Sequence, residues 1–129
     1  MRRVAVDSGA RAYTQSIAMG PYRLTADESV AVGGADQGPN PHELLLGALG
    51  ACTGITIRMY AQHKQWPLDG TRIELVHSRA TGVDEIDVAI SLIGDLSEEQ
   101  RRRLLEIAEH CPIYRTLASG ARIRLALTD

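Results

Sequence analysis

A long apolar stretch follows a loop that is rich in glycine and proline, at residues 33–41. Asn40 is a good N-cap, Pro41 suits the first helical position, and Glu43 stands three residues after the cap. From there, apolar side chains recur at helical spacing on one face: Leu45, Ala48, Leu49, Cys52, Ile55 and Met59. The other faces are hardly polar either, so the pattern predicts a central helix, buried between other elements, that ends near residues 62–65.

Alternation of apolar and polar positions predicts strands on both sides of this helix. The chain before it holds three short, weakly patterned runs that favour strands, at residues 2–7, 11–18 and 22–26. After it, Asp69 and Gly70 predict a turn, and alternation then runs through residues 73–77 and, most cleanly, 86–92. One face of such a strand is buried and the other faces water.

The last third of the chain predicts a second helix and a final strand. Ser97 is its N-cap, acidic residues fill its first turn, and it runs to about His110. Pro112 opens a further turn that Gly120 ends, and residues 123–127 alternate as a strand. The predicted order is therefore βββ-α-ββ-α-β, an α+β fold with an antiparallel sheet and a long buried central helix.

The length of 129 residues fits one domain, residues 1–129. Without phenylalanine, the core must be built mainly from leucine, isoleucine, valine and alanine. A chain this short has a high ratio of surface to volume, so burying more area in an oligomer would stabilise it. A homodimer is therefore plausible on physical grounds alone.

The net charge and the targeting signals limit which binding partners and which cellular compartment we expect. The net charge is −2, and the basic run Arg101–Arg103 lies beside glutamates at helical spacing, which indicates a solvated helix face and no nucleic-acid partner. The N-terminus lacks the apolar core of a signal peptide, and we expect no stretch to approach the ~20 apolar residues of a membrane span. Two cysteines in an untargeted chain argue against a secreted disulfide scaffold, so we expect a cytoplasmic protein without a membrane partner.

Cys52 lies in the middle of the apolar helix, among Gly47, Gly50 and Gly54. Each glycine costs a helix about 1 kcal/mol relative to alanine, which suggests that another helix, a partner chain or a ligand packs closely there. A buried structural thiol is one interpretation of Cys52. A reactive one would need a nearby cation, because the helix dipole does not act at mid-helix.

Cys111 precedes Pro112, so it can cap the short helix that Pro112 opens. The free amides of that first turn would favour a thiolate. The alternative is a residue that merely fills a helix terminus.

Three kinds of chemistry compete for the two cysteines. Metal binding would need more ligands, and the four histidines show no ligand spacing to either cysteine, so we expect no metal and no cofactor. A cysteine hydrolase would need a histidine base, and none stands out. A redox pair needs only that the fold brings the two sulfurs together. The residues alone do not show whether it does so.

Two motifs at matching separation resemble the OsmC-like family. The first is GPNPHELLLGALGACT at residues 38–53, with RMYA at 58–61 and WPL at 66–68; the second is HCPIYRTL at 110–117. The order of elements and the placement of the cysteines match over nearly the whole chain. The resemblance is greatest to the branch that also occurs fused to hydrolase domains.

The resemblance implies an intertwined homodimer of six-stranded antiparallel sheets around two central helices, with sites at the dimer interface. It also implies reduction of organic hydroperoxides. Cys52 as thiolate would attack the peroxide and become a sulfenic acid, Cys111 would condense with it into a disulfide, and an external dithiol reductant would reduce that bond. A second reading is a non-catalytic small-molecule-binding or redox-sensing protein on the same fold.

The resemblance also implies residues that support the reactive thiolate. In the hydroperoxide-resistance members, an arginine of the N-terminal hairpin stabilises the thiolate and a glutamate after Asn-Pro holds that arginine. Here Arg11 is the candidate cation, with Arg23 as the fallback. The residue after Pro41 is His42, which could replace the glutamate as a hydrogen-bonding partner or be an exposed residue of the first turn. Glu43, one later, suits a capping box as well as a catalytic role.

Overall fold

The computed structural model describes residues 1–10 and 13–128. Within these ranges the chain forms five β-strands, three α-helices and one short 3₁₀-helix. The predicted α+β class is confirmed. The chain divides into two compact units, one spanning Met1–Gly47 and the other beginning at Ala48. The assignment of all 129 residues to one domain stays a prediction.

The first unit contains a three-stranded antiparallel sheet in the order β1-β2-β3. Its strands are β1 (Val4–Ser8), β2 (Gln15–Met19) and β3 (Tyr22–Ala26). β3 has the predicted bounds, whereas β1 and β2 begin later than their weak patterns suggested. Gly20 joins β2 to β3 with φ at 58°, a left-handed conformation that glycine adopts without strain.

A buried carboxylate organises the loop after β3. The side chain of Asp27 accepts hydrogen bonds from the backbone amides of Glu28 (2.7 Å), Gln37 (3.2 Å) and Ala35 (3.4 Å), and from the Thr14 hydroxyl (2.8 Å). Burial opposes ionisation, but these donors outweigh it, so the pKa of the Asp27 carboxyl lies below its ordinary value. The loop, which includes a 3₁₀-helix at Val30–Val32, thus closes around one anion.

The long helix α1 spans Pro41–Lys64 and begins and ends where the sequence predicted. The Asn40 side chain accepts from the Glu43 amide at 2.8 Å, and the Glu43 carboxylate accepts from the Asn40 amide at 2.9 Å, which confirms the capping box. By length and composition α1 could cross a membrane, so the expectation that no stretch approaches such a span was wrong. Its buried face nevertheless marks α1 as a core helix.

The faces of α1 differ from the prediction. The buried positions are spaced four residues apart: Leu49, Thr53, Ile57 and Ala61. Ile55 and Met59, expected on the core face, are 60% and 65% exposed. The error arose because apolar residues occur all round this helix, so periodicity alone could not choose a face.

The second unit packs α1 against a hairpin and a helix. β4 (Leu68–Ser78) and β5 (Glu85–Gly94) are antiparallel, and α2 (Glu98–Ala108) starts at a capping box between Ser97 and Gln100. The core is a single cluster of small and aliphatic side chains: Ile57, Ala61, Leu68, Leu96, Leu104 and Ala108. The predicted turn at Asp69 and Gly70 is instead an irregularity within β4, because the strand already begins at Leu68.

The C-terminal part of the second unit holds α3 (Pro112–Ser119), which Gly120 ends as predicted. The final predicted strand is wrong: in residues 121–128, which the structure describes, there is no strand. Ile123, Leu125 and Leu127 are 80%, 95% and 93% exposed. The alternation is present in the sequence, but a strand forms only against a hydrogen-bonding neighbour, and no described strand of this unit pairs with the segment.

Candidate active site

Cys52 occupies the edge of the buried face of α1. Its side chain is partly exposed, whereas its neighbour Thr53 points into the core. At 100° per residue, Cys52 lies within about 60° of Ile55 and 20° of Met59, so it shares their exposed apolar side. The Cys52 thiol therefore lies beside the apolar surface that these two side chains form.

Gly50 explains part of the glycine content around Cys52. A Cβ atom at this position would lie 2.8 Å from Cδ1 of Leu75, which comes from β4 of the same chain. At Gly47, by contrast, no atom lies within 4 Å of the added Cβ. The close approach predicted from the glycines is thus confirmed at Gly50, but its partner is the hairpin and not a second helix.

Cys111 is fully buried at the N-terminus of α3. The chain leaves α2 through a tight connection in which the amides of Glu109, His110 and Cys111 each bond a carbonyl three residues earlier. Pro112 then opens α3, and the sulfur of Cys111 accepts a hydrogen bond from the Tyr114 amide at 3.5 Å. The predicted N-cap role of Cys111 is confirmed.

The two cysteines are free and interact through a side-chain hydrogen bond. Burial and this bond raise the pKa of the Cys52 thiol. Burial also opposes ionisation of Cys111, but donation from Cys52 and from the amides of Tyr114 and Ile113 outweighs it and lowers the pKa of the Cys111 thiol. The surroundings of Cys111 therefore favour its thiolate form.

Thr53 is a site residue that the sequence analysis missed. Its buried hydroxyl donates to the Leu49 carbonyl at 2.8 Å, and Thr53 is also one of the neighbours that lower the pKa of the Cys111 thiol. Thr56, one turn further along α1, interacts in the same way with Cys52. The only sequence signal was adjacency to Cys52, since a threonine in a helix usually bonds the preceding turn.

A small apolar pocket lies beside Thr53 and Tyr114, two residues that interact with Cys111. It has a volume of about 150 Å³ and is lined by α1, β5, α2 and α3 through Leu49, Thr53, Val88, Ile90, Leu105, Ala108, Glu109 and Tyr114. Thr53 and Tyr114 thus contribute both to this lining and to the surroundings of the Cys111 sulfur. The site consequently combines a thiol pair with a compact apolar cavity.

The family model described as OsmC-like protein matches residues 33–126, more than half of the chain. This chain belongs to the OsmC-like family. The match covers both cysteine motifs and begins in the loop before α1. No curated protein matches the sequence.

Solved structures of OsmC-like proteins share the fold. An OsmC-like protein from Mycoplasma pneumoniae superimposes with a TM-score of 0.78 at 18% identity, covering 92% of this chain and 87% of that one. The organic hydroperoxide resistance protein OsmC from Legionella pneumophila gives 0.66 at 20% identity, with 91% and 88% covered. The organic hydroperoxide resistance protein OhrB of Bacillus subtilis gives 0.59 at 21%, with 90% and 89% covered.

The predicted supporting residues of this OsmC-like chain belong to its first unit. Arg11 lies outside the described residues, and the fallback Arg23 is an exposed residue of β3. His42 is exposed in the first turn of α1, and the Glu43 carboxylate is engaged in the capping box. The roles of these four residues in catalysis stay predictions.

Among the described residues, no group of three or more histidine, cysteine, aspartate or glutamate side chains is arranged to hold a metal ion. The chemistry that the described site offers this OsmC-like protein is that of its thiols.

Proposed function

We propose that this protein is a cysteine-based peroxidase that reduces organic hydroperoxides to alcohols in oxidative-stress defence. The observation that carries the proposal is the hydrogen-bonded pair of free thiols, with Cys52 partly exposed and Cys111 buried at a helix N-terminus. Family membership supports the same chemistry.

The reaction consumes one peroxide and oxidises two thiols. The Cys52 sulfur, as thiolate, attacks the outer oxygen of the hydroperoxide; the O–O bond breaks and the alkoxide takes up a proton to leave as alcohol. Cys52 is then a sulfenic acid. The Cys111 sulfur attacks it, the S–S bond forms, and the hydroxyl leaves as water after protonation.

The pocket supports an organic substrate. Its lining is mainly apolar, and a volume of about 150 Å³ accommodates a short alkyl chain beside the thiols. Hydrogen peroxide has no alkyl group to fill such a cavity, so apolar contacts there would not favour its reduction. The proposed substrate is therefore an alkyl hydroperoxide of small to moderate size.

Turnover requires an external dithiol reductant. A dithiol can attack the Cys52 sulfur of the disulfide, because Cys52 is the exposed member of the pair, and Cys111 then leaves as the more stable thiolate. A cytoplasmic location fits this requirement, since thiols are kept reduced there. Cell fractionation with an antibody against the protein tests the location.

The deciding experiment follows peroxide consumption by pre-reduced protein. Cumene hydroperoxide and hydrogen peroxide are compared, with a dithiol reductant, for the wild type, Cys52→Ser and Cys111→Ser. We expect turnover that favours the alkyl peroxide and disappears in Cys52→Ser. Thr116→Val, which changes an exposed hydroxyl of α3, is the control and should turn over normally.

A second measurement separates a peroxidase from an inert thiol protein. Stoichiometric peroxide should produce one intramolecular Cys52–Cys111 disulfide, detected by mass spectrometry of non-reduced peptides. Survival of both free thiols in excess peroxide would contradict the proposal.

We also propose a homodimer, without nucleic-acid or membrane partners. Ile55 and Met59 form an exposed apolar face beside Cys52, and the apolar residues of segment 121–128 are exposed as well. A second copy of this chain would cover such surfaces, which a monomer rarely exposes together. Light scattering at micromolar concentration should give twice the chain mass, and Ile55→Glu with Met59→Glu should shift it toward the monomer; a wild-type monomer would contradict this.

The pocket favours one alternative function, a non-catalytic binding or redox-sensing protein. In that case the cavity of about 150 Å³ would hold a small apolar or thiol-containing molecule, next to Thr53 and Tyr114 and close to the cysteines. Such a protein would bind ligand in calorimetry, and Cys52→Ser would bind as well, with no peroxide turnover in either.

A further inference from the structure

Two apolar cavities of the second unit lie next to each other. The first is the pocket of about 150 Å³ beside Thr53, and the second has a volume of about 200 Å³. Leu49 of α1, Val88 of β5 and Tyr114 of α3 line both of them. Because the same three side chains belong to both linings, the two cavities form one continuous groove.

The groove runs along β5. Ile86, Val88 and Ile90 lie two residues apart and therefore point to the same face of the strand. Ile90 lines only the first cavity, Ile86 lines only the second, and Val88 lies between them. At about 3.4 Å per residue, these three side chains extend over roughly 13 Å. The groove is therefore elongated.

α3 forms the other wall of the groove. Tyr114, Leu117 and Ala118 are spaced three and four residues apart, so they share one face of this helix. Small-molecule sites usually have volumes of about 300–1,000 Å³, and only the two cavities together reach that range. A long, narrow and mainly apolar space of this size suits an unbranched alkyl chain.

The charged residues that line the groove all carry the same sign. Glu109 lines the first cavity and Asp84 lines the second, and the described lining residues include no lysine, arginine or histidine. A cleft with apolar walls and charges of one sign attracts ligands of the opposite sign and repels those of the same sign. Each end of the groove therefore opposes an anion.

Asp84 also has basic neighbours, but these do not line the cavity. Nε2 of His77 lies 2.9 Å from Oδ1 of Asp84, and Nε of Arg79 lies 3.8 Å from the same oxygen. The Arg79 side chain is 68% exposed, so solvent weakens its ion pair with Asp84. Of these three side chains, the one that a bound ligand would meet is the carboxylate.

We propose that the groove binds an unbranched alkyl chain with neutral or cationic ends, and that Glu109 and Asp84 exclude chains that end in a carboxylate. A fatty acid is disfavoured in both directions, because either orientation brings its carboxylate to one of these two residues. As a statement about the substrate, this inference rests on the proposed function. The hydroperoxide group would then lie in the first cavity, and the far end of its chain would lie in the second.

The first experiment measures binding of compounds that cannot react with the thiols. Primary alcohols, the products of the proposed reaction, are titrated into reduced protein in a calorimeter, from 1-butanol to 1-decanol. Each added methylene should raise the affinity about threefold, until the chain fills the second cavity.

A bulky residue in the second cavity should block long chains alone. Ala118 is exposed and lines only the second cavity, so Ala118→Phe should weaken 1-decanol about tenfold and leave 1-butanol unchanged. Ser119→Phe is the matched control, since it adds the same ring at the next position of α3, which is not part of the lining. It should bind both alcohols as the wild type does.

The second experiment tests the charge at a fixed chain length. At low salt, decanoate should bind the wild type at least about tenfold more weakly than 1-decanol, whereas decylamine should bind at least as tightly as the alcohol. The difference should shrink in about 0.5 M NaCl, because Glu109 and Asp84 are exposed and salt screens their charges.

Neutral variants identify the groups that exclude the anion. Glu109→Gln combined with Asp84→Asn should admit decanoate, weaken decylamine and leave 1-decanol unchanged. Arg79→Gln is the control, because it alters the charge beside Asp84 without changing the lining of the groove. It should exclude decanoate at least as strongly as the wild type does.

Turnover connects the groove to the proposed function. Decyl hydroperoxide should have a higher kcat/KM than butyl hydroperoxide, and Ala118→Phe should abolish this advantage. Two binding results overturn the inference: 1-decanol that binds no more tightly than 1-butanol, or decanoate that binds the wild type as tightly as 1-decanol at low salt. Both are read without peroxide, so they differ from failure of the proposed function, which would leave binding intact and abolish turnover.

Discussion

Leu75 of β4 fills the space that a side chain at position 50 of α1 would need, with its Cδ1 atom 2.8 Å from the site of the missing Cβ. Gly50 therefore lets the hairpin lie directly on the helix, one turn before Thr53 and half a turn before Cys52. This contact packs the thiol-bearing turn against β4, and a side chain at position 50 would have to displace the terminal methyl of Leu75.

Substitutions at two helical glycines should therefore have opposite effects. Gly47→Ala should raise the free energy of unfolding by about 1 kcal/mol, because alanine favours the helix and its Cβ meets no neighbour. Gly50→Ala should lower it by about 1 kcal/mol, because displacement of Leu75 exceeds the same gain. Urea denaturation measures both, and equal stabilisation by the two changes would contradict the packing argument.

Asp27 should make the loop of the first unit sensitive to acid. The pKa of its carboxyl is below the ordinary value of about 3.9, so its stabilising effect is complete above that value and is lost as the pH falls through the lower, folded value. Hydrogen exchange of the Glu28, Ala35 and Gln37 amides, corrected for its intrinsic rate, should accelerate on acidification below about pH 4.

Asp27→Asn provides the comparison, since an amide retains the shape but carries no charge. Its loop amides should exchange faster at neutral pH and lose the acid-dependent step. An acid-dependent step that persists in Asp27→Asn would assign it to another group.

Arg101 should contribute strongly to stability although it lies in a basic run. Its guanidinium donates to the carbonyls of Leu92 (2.8 Å), Gly94 (2.9 Å) and Leu96 (3.4 Å), at the passage from β5 to α2. Arg101→Gln should lower the free energy of unfolding by about 2 kcal/mol, because several part-buried carbonyls lose a charged donor. Arg102 is an exposed neighbour, and Arg102→Gln should change the free energy of unfolding by less than about 0.5 kcal/mol. Thermal melts of the two variants and the wild type measure both changes.

Cys52 should be the more accessible of the two cysteines, whereas Cys111 should be the more acidic one. Iodoacetamide on folded protein at pH 8 should label Cys52 first, because Cys111 is fully buried even though its pKa is the lower one. In guanidinium chloride the two should label at similar rates. Peptide mapping reads the order, and prior labelling of Cys111 in the native state would contradict the described burial.

Local signals allowed much of the fold to be predicted. Asn40 and Glu43 at the start of α1, Ser97 before α2, and Cys111 with Pro112 before α3 act through contacts within one turn, which a sequence displays directly. The wrong predictions involve distant neighbours. The exposed face of α1 and the missing strand at residues 121–128 depend on which surfaces are covered, and periodicity does not specify that.

The sequence predicted that two cysteines form the site, but it did not predict the groups that surround their sulfurs. That Cys52 and Cys111 interact depends on the packing of α1 against α3, and the part played by Thr53 depends on where a single hydroxyl points. No residue spacing encodes either fact. Arg11 shows a related limit. The motif suggests this residue as the activating cation but does not predict its position relative to the thiols.

α2 is held along its whole length, by Arg101 near its start and by buried Leu104, Ile107 and Ala108 toward its end. None of the eight described residues of α3 is buried; only its cap, Cys111, is. A disulfide to Cys52 would involve that cap directly. Because α3 has no buried residue of its own, this short surface helix is the element next to the site that is least fixed by packing, and we expect its position to depend most on whether the two sulfurs are joined.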